Sequence, residues 1–371
     1  MKKLIFLIVF IALAIILIAQ EIQHETIAIN IEVPVRVYKG DNFMDNLTID
    51  DFEVYEEGIL QNIEAVYFIR KTQIERAEKL EMLRSVSVPK LTRHFLLLFE
   101  LTEYLPQIKE ALDEFFLNVI KPEDSLSVVT PLKTYNLKDE AFSMLPGDKL
   151  AELVNKKIRK DIVTGSAEYN SLLRDLRSPV TQGLQMMILR QLRDYKQVDE
   201  ERLLQMAEYL RGLEGQKHIF LFYQKEGIPI PKTMDISLKA ELMRSIDFDE
   251  NKIREAFSDS SISVHFLYIT KENIRAFDLS DPGSMRYWEI FDQSSSFFGA
   301  FKKMAQVTGG VSEASANISW SFNQAAQASE NYYILYYSPK NYRADGKFKN
   351  IQVKVKGKNY RIMHRAGYIA D

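Results

Sequence analysis

Few segments of this chain hold the donors, acceptors or nucleophiles that chemistry requires at fixed spacing. Five histidines are spread along it, at His24, His94, His218, His265 and His364. None stands in a His-Glu-x-x-His or other zinc-binding spacing. There is no Gly-x-Ser-x-Gly elbow and no glycine loop of the kind that cradles phosphate. The chain contains no cysteine, which excludes a thiolate nucleophile, a thiolate metal site and a disulfide. Two short polar clusters remain. Glu100-Leu101-Thr102-Glu103-Tyr104 follows one apolar run, and Tyr223-Gln224-Lys225-Glu226 follows another. Glu100 with Glu226 is the carboxylate pair best placed for acid–base work, but no substrate pocket is recognisable beside it. The chain therefore reads as a non-enzyme, with a hydrolytic enzyme as the minor alternative.

The elements that would position these clusters follow from hydrophobic periodicity. Residues 27–37 alternate apolar and other side chains, the pattern of a half-buried strand. Residues 47–63 continue as short strands with a hairpin turn at Glu57-Gly58. From Arg93 the pattern changes. Continuous apolar runs at 94–99, 125–130, 217–223 and 262–269 alternate with amphipathic stretches, which predicts a parallel sheet covered by helices on both faces. Tyr332–Tyr337 reads as the last strand of that unit, and Gly309-Gly310 as a helix stop. After Ser338-Pro339, residues 348–355 and 360–364 read as antiparallel strands without a core of their own.

These boundaries predict a β unit over 21–72, a linker over 73–92 and an α/β domain over 93–338. C-terminal strands over 339–371 would pair back onto the β unit. A long insert, Phe277 to Phe298, carries Tyr287 and Trp288, residue types suited to partner contacts.

Lys2 and Lys3 precede an apolar run from Leu4 to Ala19. That is the pattern of a secretory signal peptide, or of an N-terminal anchor if it is retained, over residues 1–20. The expected location is outside the cytoplasm: periplasmic, cell-surface or secreted. Membrane contact is expected only through that segment. A net charge of −3 supplies no electrostatic case for nucleic acid.

Two sets of residues carry a family likeness. The first is Leu47-Thr48-x-x-Asp51-Phe52-x-Val54-x-Glu56-x-Gly58-x-x-Gln61-x-Ile63. The second is Thr308-Gly309-Gly310, Tyr332 to Pro339, Asp345-Gly346-Lys347-Phe348 and Arg365-x-Gly367-Tyr368. In this order they resemble the bacterial exported VWFA-related proteins. The resemblance implies an α/β, von Willebrand factor A-like (Rossmann-like) fold with a small flanking β domain.

It also implies a metal-ion-dependent adhesion site at the end of the first central strand, where Asp-x-Ser-x-Ser normally holds Mg²⁺ at about 2.1 Å. Here Glu100, Thr102 and Tyr104 occupy those positions, with Thr181 as a candidate later-loop ligand. Glu is one methylene too long, the tyrosine hydroxyl stands too far from the backbone, and Lys225 would repel a cation. The site reads as degenerate, with no cofactor expected. What remains is a metal-independent surface at the carboxyl ends of the strands, where ligands of open α/β sheets collect. Glu100, Thr102, Glu103, Tyr104, Tyr223, Gln224, Lys225 and Glu226 are its expected partner-contact residues. A protein-binding or adhesion module is the leading expectation, and a scaffolding subunit of an envelope complex is the alternative.

Overall fold

The computed structural model describes residues 29–79, 88–137, 139–177, 181–195, 200–225, 227–242, 249–257, 262–270, 286–292, 294–357 and 359–370. The leader expected over 1–20, His24, Glu226 and the 277–285 part of the insert lie outside the described residues.

The described residues open with β1 (Ile31–Lys39) and β2 (Asn42–Phe43), then β3 (Phe52–Glu56) and β4 (Ile59–Gln61). Glu57 and Gly58, between β3 and β4, sit at φ 49° and 79°, as two-residue hairpin loops require. β5 (Ile63–Arg70) and β6 (Gln73–Lys79) complete this part. β7 (Arg93–Glu100) leads to α1 (Gln107–Glu114), β8 (Ser125–Val129) and β9 (Thr134–Leu137). Five helices follow: α2 (Asp139–Met144), α3 (Gly147–Gly165), α4 (Ala167–Arg177), α5 (Gln182–Tyr195) and α6 (Glu200–Arg211).

Then come β10 (Gln216–Gln224), β11 (Gly227–Pro231), α7 (Ile236–Leu242), α8 (Glu250–Phe257), β12 (Ile262–Ile269) and β13 (Trp288–Asp292). α9 (Ser295–Val307), β14 (Ser312–Ser315), α10 (Ile318–Ala328) and β15 (Asn331–Tyr337) follow. The chain closes with β16 (Phe348–Val355), β17 (Arg361–His364) and β18 (Gly367–Ile369).

These strands make four sheets. The central one has the order β14-β12-β10-β7-β8-β9 and is parallel except for β9. Its strands are buried on both faces because alternate residues feed two cores. Phe95, Leu97, Phe99, Phe220 and Phe222 pack under α1, α3 and α10. Leu96, Leu98, Leu221 and Phe266 pack under α6, α8 and α9. A second sheet runs β17-β1-β15-β5-β6 and a third β18-β16-β3-β4, with Val35, Val54, Phe68, Tyr333 and Val353 between them. A two-stranded β11–β13 sheet joins α4, α5 and α7 around Tyr169, Leu189 and Ile228, a satellite core separate from the others.

The expected fold class is corrected by this topology. The molecule is mixed α/β with many antiparallel pairings, and among the described residues only one sheet is mostly parallel, so a von Willebrand factor A-like, Rossmann-like fold with a small β flank is not supported. Tyr332–Tyr337, expected to close the α/β unit, is instead β15, which lies between β1 and β5 and pairs antiparallel with both. Residues 73–79, expected in a linker, form β6 on the edge of the same sheet. The physical reason is that a continuous apolar run reports burial of both faces of a strand. It reports neither the direction nor the identity of the neighbours. The C-terminal strands pair with the N-terminal part, β16 with β3 and β17 with β1.

The β layers meet the amino end of the central sheet through buried charges. Arg36 on β1 donates to the carbonyls of Ala328 and Gly309. Both carbonyls lie at helix C-termini, of α10 and α9, where the helix dipole favours a cation. Arg93, first residue of β7, makes a two-point pair with Asp124, at 3.0 Å from Nε and 2.6 Å from Nη2. Both side chains of this pair are fully buried. Gln216 on β10 and Tyr336 on β15 both donate to Glu32 of β1, at 2.7 and 2.9 Å.

Candidate functional site

The carboxyl ends of β7 and β10 lie side by side, with Glu100 in register with Tyr223. Beyond β7 the chain turns inward. Leu101 and Leu105 enter the core, and Thr102 and Glu103 are buried with them. The Glu103 amide donates to Gln224 Oε1 at 3.2 Å, tying the two strand ends together. Gln224 is fully buried, and the Tyr223 ring is buried against Tyr268 and Phe301. Four of the expected partner-contact residues, Thr102, Glu103, Tyr223 and Gln224, are thus interior groups.

Three others are half-buried: Glu100, Tyr104 and Lys225. The Tyr104 hydroxyl donates to Asn155 Oδ1 of α3 at 2.7 Å, with the Arg159 guanidinium 5.6 Å above its ring. Burial raises its phenol pKa. The Lys225 amide donates to the Ile269 carbonyl at 2.8 Å. Glu226 lies outside the described residues. Thr181 is an exposed residue just before α5, where its hydroxyl accepts from the Leu184 amide at 3.4 Å, the place of a helix cap.

These positions do not fit the Mg²⁺ that the resemblance implies. Thr102 is sealed from solvent, and the Tyr104 hydroxyl is turned onto Asn155. Among the described residues, no group of three or more His, Asp or Glu is placed to hold a metal.

The four described histidines have packing partners. His94 lies 2.5 Å from Ser125 Oγ and 2.8 Å from the Glu214 carbonyl. His364 Nε2 accepts from the Val353 amide at 3.3 Å. His218 and His265 are buried on neighbouring strands, Nδ1 to Nε2 at 3.4 Å. His265 Nδ1 accepts from the Val311 amide at 3.2 Å. A neutral His265 therefore carries its proton on Nε2 and donates it towards His218. Burial holds both imidazoles well below the ordinary histidine pKa.

Open space lies elsewhere. Helices α6, α8 and α9 cover β10 and β12, but of β8 only Val129 joins the core beneath them. The uncovered part is a groove of about 680 Å³ between α6 and the β7–β8–β9 face. Leu96 and Leu98 form part of its floor, and Met206, Leu210 and Leu213 its wall. Tyr209, 64% exposed, stands at the lip. Polar groups interrupt the apolar surface. Ser127 donates to Asn136 Oδ1 across the β8–β9 hairpin at 2.8 Å, and His94 and Glu100 also line the groove. Glu100 is the residue shared by the groove and the expected rim. Volume and lining match those of ligand and peptide sites, concave and mostly apolar with a few placed polar groups.

On the opposite face of the same hairpin lies a second hollow of about 400 Å³, lined by Tyr135, Leu137, Met144, Leu153 and Lys157. Periodicity alone did not reveal either hollow. The available signal was the alternation Ser125-Leu-Ser127 and Thr134-Tyr-Asn136-Leu, small polar groups on one face of two adjacent strands.

No family model matches the chain, and no curated protein does.

Proposed function

We propose that this protein is an exported binding module that takes a protein partner through the groove between α6 and the β7–β8–β9 face. The observation that carries the reading is the groove itself: about 680 Å³ of mostly apolar surface with an exposed tyrosine at its lip. Tyrosine and other large side chains beside a concave apolar surface are typical of interface anchors. The Lys2-Lys3 lead and the apolar run to Ala19 support export. The ordered likeness of residues 47–63 and 308–368 to exported VWFA-related proteins supports binding over catalysis, without the fold that it implied.

The test is a pair of groove variants, Met206→Arg and Tyr209→Ala. Partners are captured by chemical crosslinking in extracts of the source organism and identified by mass spectrometry. Tyr209→Ala should keep the thermal midpoint of the parent, whereas Met206→Arg, at a residue partly packed on the core, should lower it while the chain stays folded. Both should lose the captured partner, with a binding loss of about 2 kcal/mol for the tyrosine. Undiminished capture by both variants would show that the contact lies elsewhere.

A further inference from the structure

β9 is the last strand of the central sheet, and among the described residues no strand pairs with its outer edge. Its backbone alternates in a defined way. The Thr130 amide donates to the Lys133 carbonyl at 2.8 Å in the hairpin turn, and Val128 faces Tyr135 two steps along each strand. In an antiparallel pair, bonded and non-bonded positions alternate. Tyr135 and Leu137 therefore turn their N–H and C=O towards β8, while Thr134 and Asn136 turn theirs outward. The outer edge presents two amides and two carbonyls to solvent, on residues that are themselves exposed.

Hollows lie on both sides of that edge. Thr134 lines the groove on the α6 face, Tyr135 lines the smaller hollow on the α3 face, and Asn136 and Leu137 border both. A strand laid against β9 would send successive side chains to opposite faces. One set would enter the groove and the other the hollow. Natural edges are usually blocked by charge, proline or a covering element. β6, on the edge of the second sheet, shows that pattern with Glu75, Arg76, Glu78 and Lys79. β9 has none of these within its span, Thr134–Leu137.

Charge selects the occupant further. Lys133 immediately precedes the strand, and Lys157 lies over the Tyr135 ring at 5.0 Å. Lys156 and Lys160 follow on the exposed face of α3. Among the described residues, none of these four lysines is in an ion pair.

We infer that the partner binds as an extended peptide segment added to the free edge of β9. Its alternate apolar side chains fill the groove and the hollow, and acidic residues flank it. The inference rests on the binding reading above and specifies its geometry. Main-chain bonds supply affinity in this mode, and the two hollows supply selectivity.

The probe is a synthetic peptide with a valine–leucine core between aspartate pairs, followed by fluorescence anisotropy with the full chain. Asn136→Pro removes one outward amide without touching the β8 ladder, and should weaken the peptide about tenfold or more. Asn136→Ala keeps that amide and loses only the side chain, so it should bind the peptide more tightly than Asn136→Pro does. Because a proline variant can alter the strand itself, a second arm leaves the protein unchanged and methylates the peptide backbone at alternate residues. Methylation in one register should abolish binding, and in the other leave it intact.

Equal effects of the two registers, an unaffected Asn136→Pro, or no binding of the probe overturns the inference. So does recruitment to phosphatidylglycerol vesicles in place of the peptide, which would assign the lysine-rich face to a membrane. If Met206→Arg loses the crosslinked natural partner while Asn136→Pro keeps it, strand addition fails and the binding reading stands. If Met206→Arg keeps the partner as well, the binding reading fails with it.

Discussion

Two neighbouring regions of the central sheet, the amino end of β7 and the β8–β9 hairpin, treat polar groups in opposite ways. At its amino end β7 begins with Arg93, sealed against Asp124 beside the equally buried Arg36, His218 and His265. Along the β8–β9 hairpin, a few residues away in sequence, the polar groups Ser127, Thr134 and Asn136 stay at a surface beside two apolar hollows. A buried charge is tolerable only where its partners are already in place, so the first region holds the β layers in one position on the sheet. The second leaves apolar surface and outward backbone groups at the solvent edge of the sheet. The difference separates a structural seam from the surface proposed for recognition, although both are made of similar residue types.

The largest effect should come from the seam. Asp124→Ala leaves the Arg93 guanidinium buried without its carboxylate and should destabilise the protein by about 3–5 kcal/mol, measured by urea unfolding. A loss below 1 kcal/mol would place the pair in the class of surface ion pairs and erase the contrast.

Next is acid sensitivity. The folded pKa values of His218 and His265 are held well below 6.5, chiefly by burial, with the nearby Arg36 acting in the same direction. The unfolded chain therefore binds protons at a pH where the folded chain does not. Stability should be constant above the unfolded pKa and should fall as pH drops below about 6.5, by up to about 1.4 kcal/mol per pH unit for each histidine. Unfolding midpoints measured between pH 7 and pH 5, with His218→Leu for comparison, check the sign. An unchanged slope in the variant would remove His218 from the account.

The smallest expected effect sharpens the other side of the comparison. Asn136→Pro should cost about 1 kcal/mol or less in stability, because its amide faces solvent and edge strands admit proline there. Tyr135→Pro, one residue earlier, removes an amide bonded to β8 and the phenol that donates to Asp161, and should cost more, about 1–3 kcal/mol for each group left unsatisfied. A larger cost for Asn136→Pro than for Tyr135→Pro would mean that the bonded and free edges of β9 have been assigned the wrong way round.

Part of this architecture is readable from local pattern. The runs 94–99, 217–223 and 262–269 become β7, β10 and β12 with residues buried on both faces, and Glu57-Gly58 becomes a hairpin turn at positive φ. Gly309 closes a helix at φ 69°, where an added Cβ would stand 2.8 Å from the His364 carbonyl carbon. The candidate site was less accessible. Thr102, Glu103, Tyr223 and Gln224 have the composition of a polar rim, yet they fold inward, because the chain after β7 turns back into the core at Leu101 and Leu105. The short strand β9 has no clear mark in the sequence. Its four residues show alternation too brief to separate from a loop.

The sequence by itself determined which segments are buried, where the chain turns, and that cysteine chemistry is absent, since composition and short-range periodicity act within a few residues. Only the tertiary structure decided that Tyr332–Tyr337 joins β1 and β5 and not the parallel sheet. It also decided that Arg36 caps two helices nearly 300 residues away, and that β9 keeps one edge open between two hollows. Each of these depends on which distant strand or helix arrives beside a residue. Pairing partners are non-local quantities, and no local pattern of side chains encodes them.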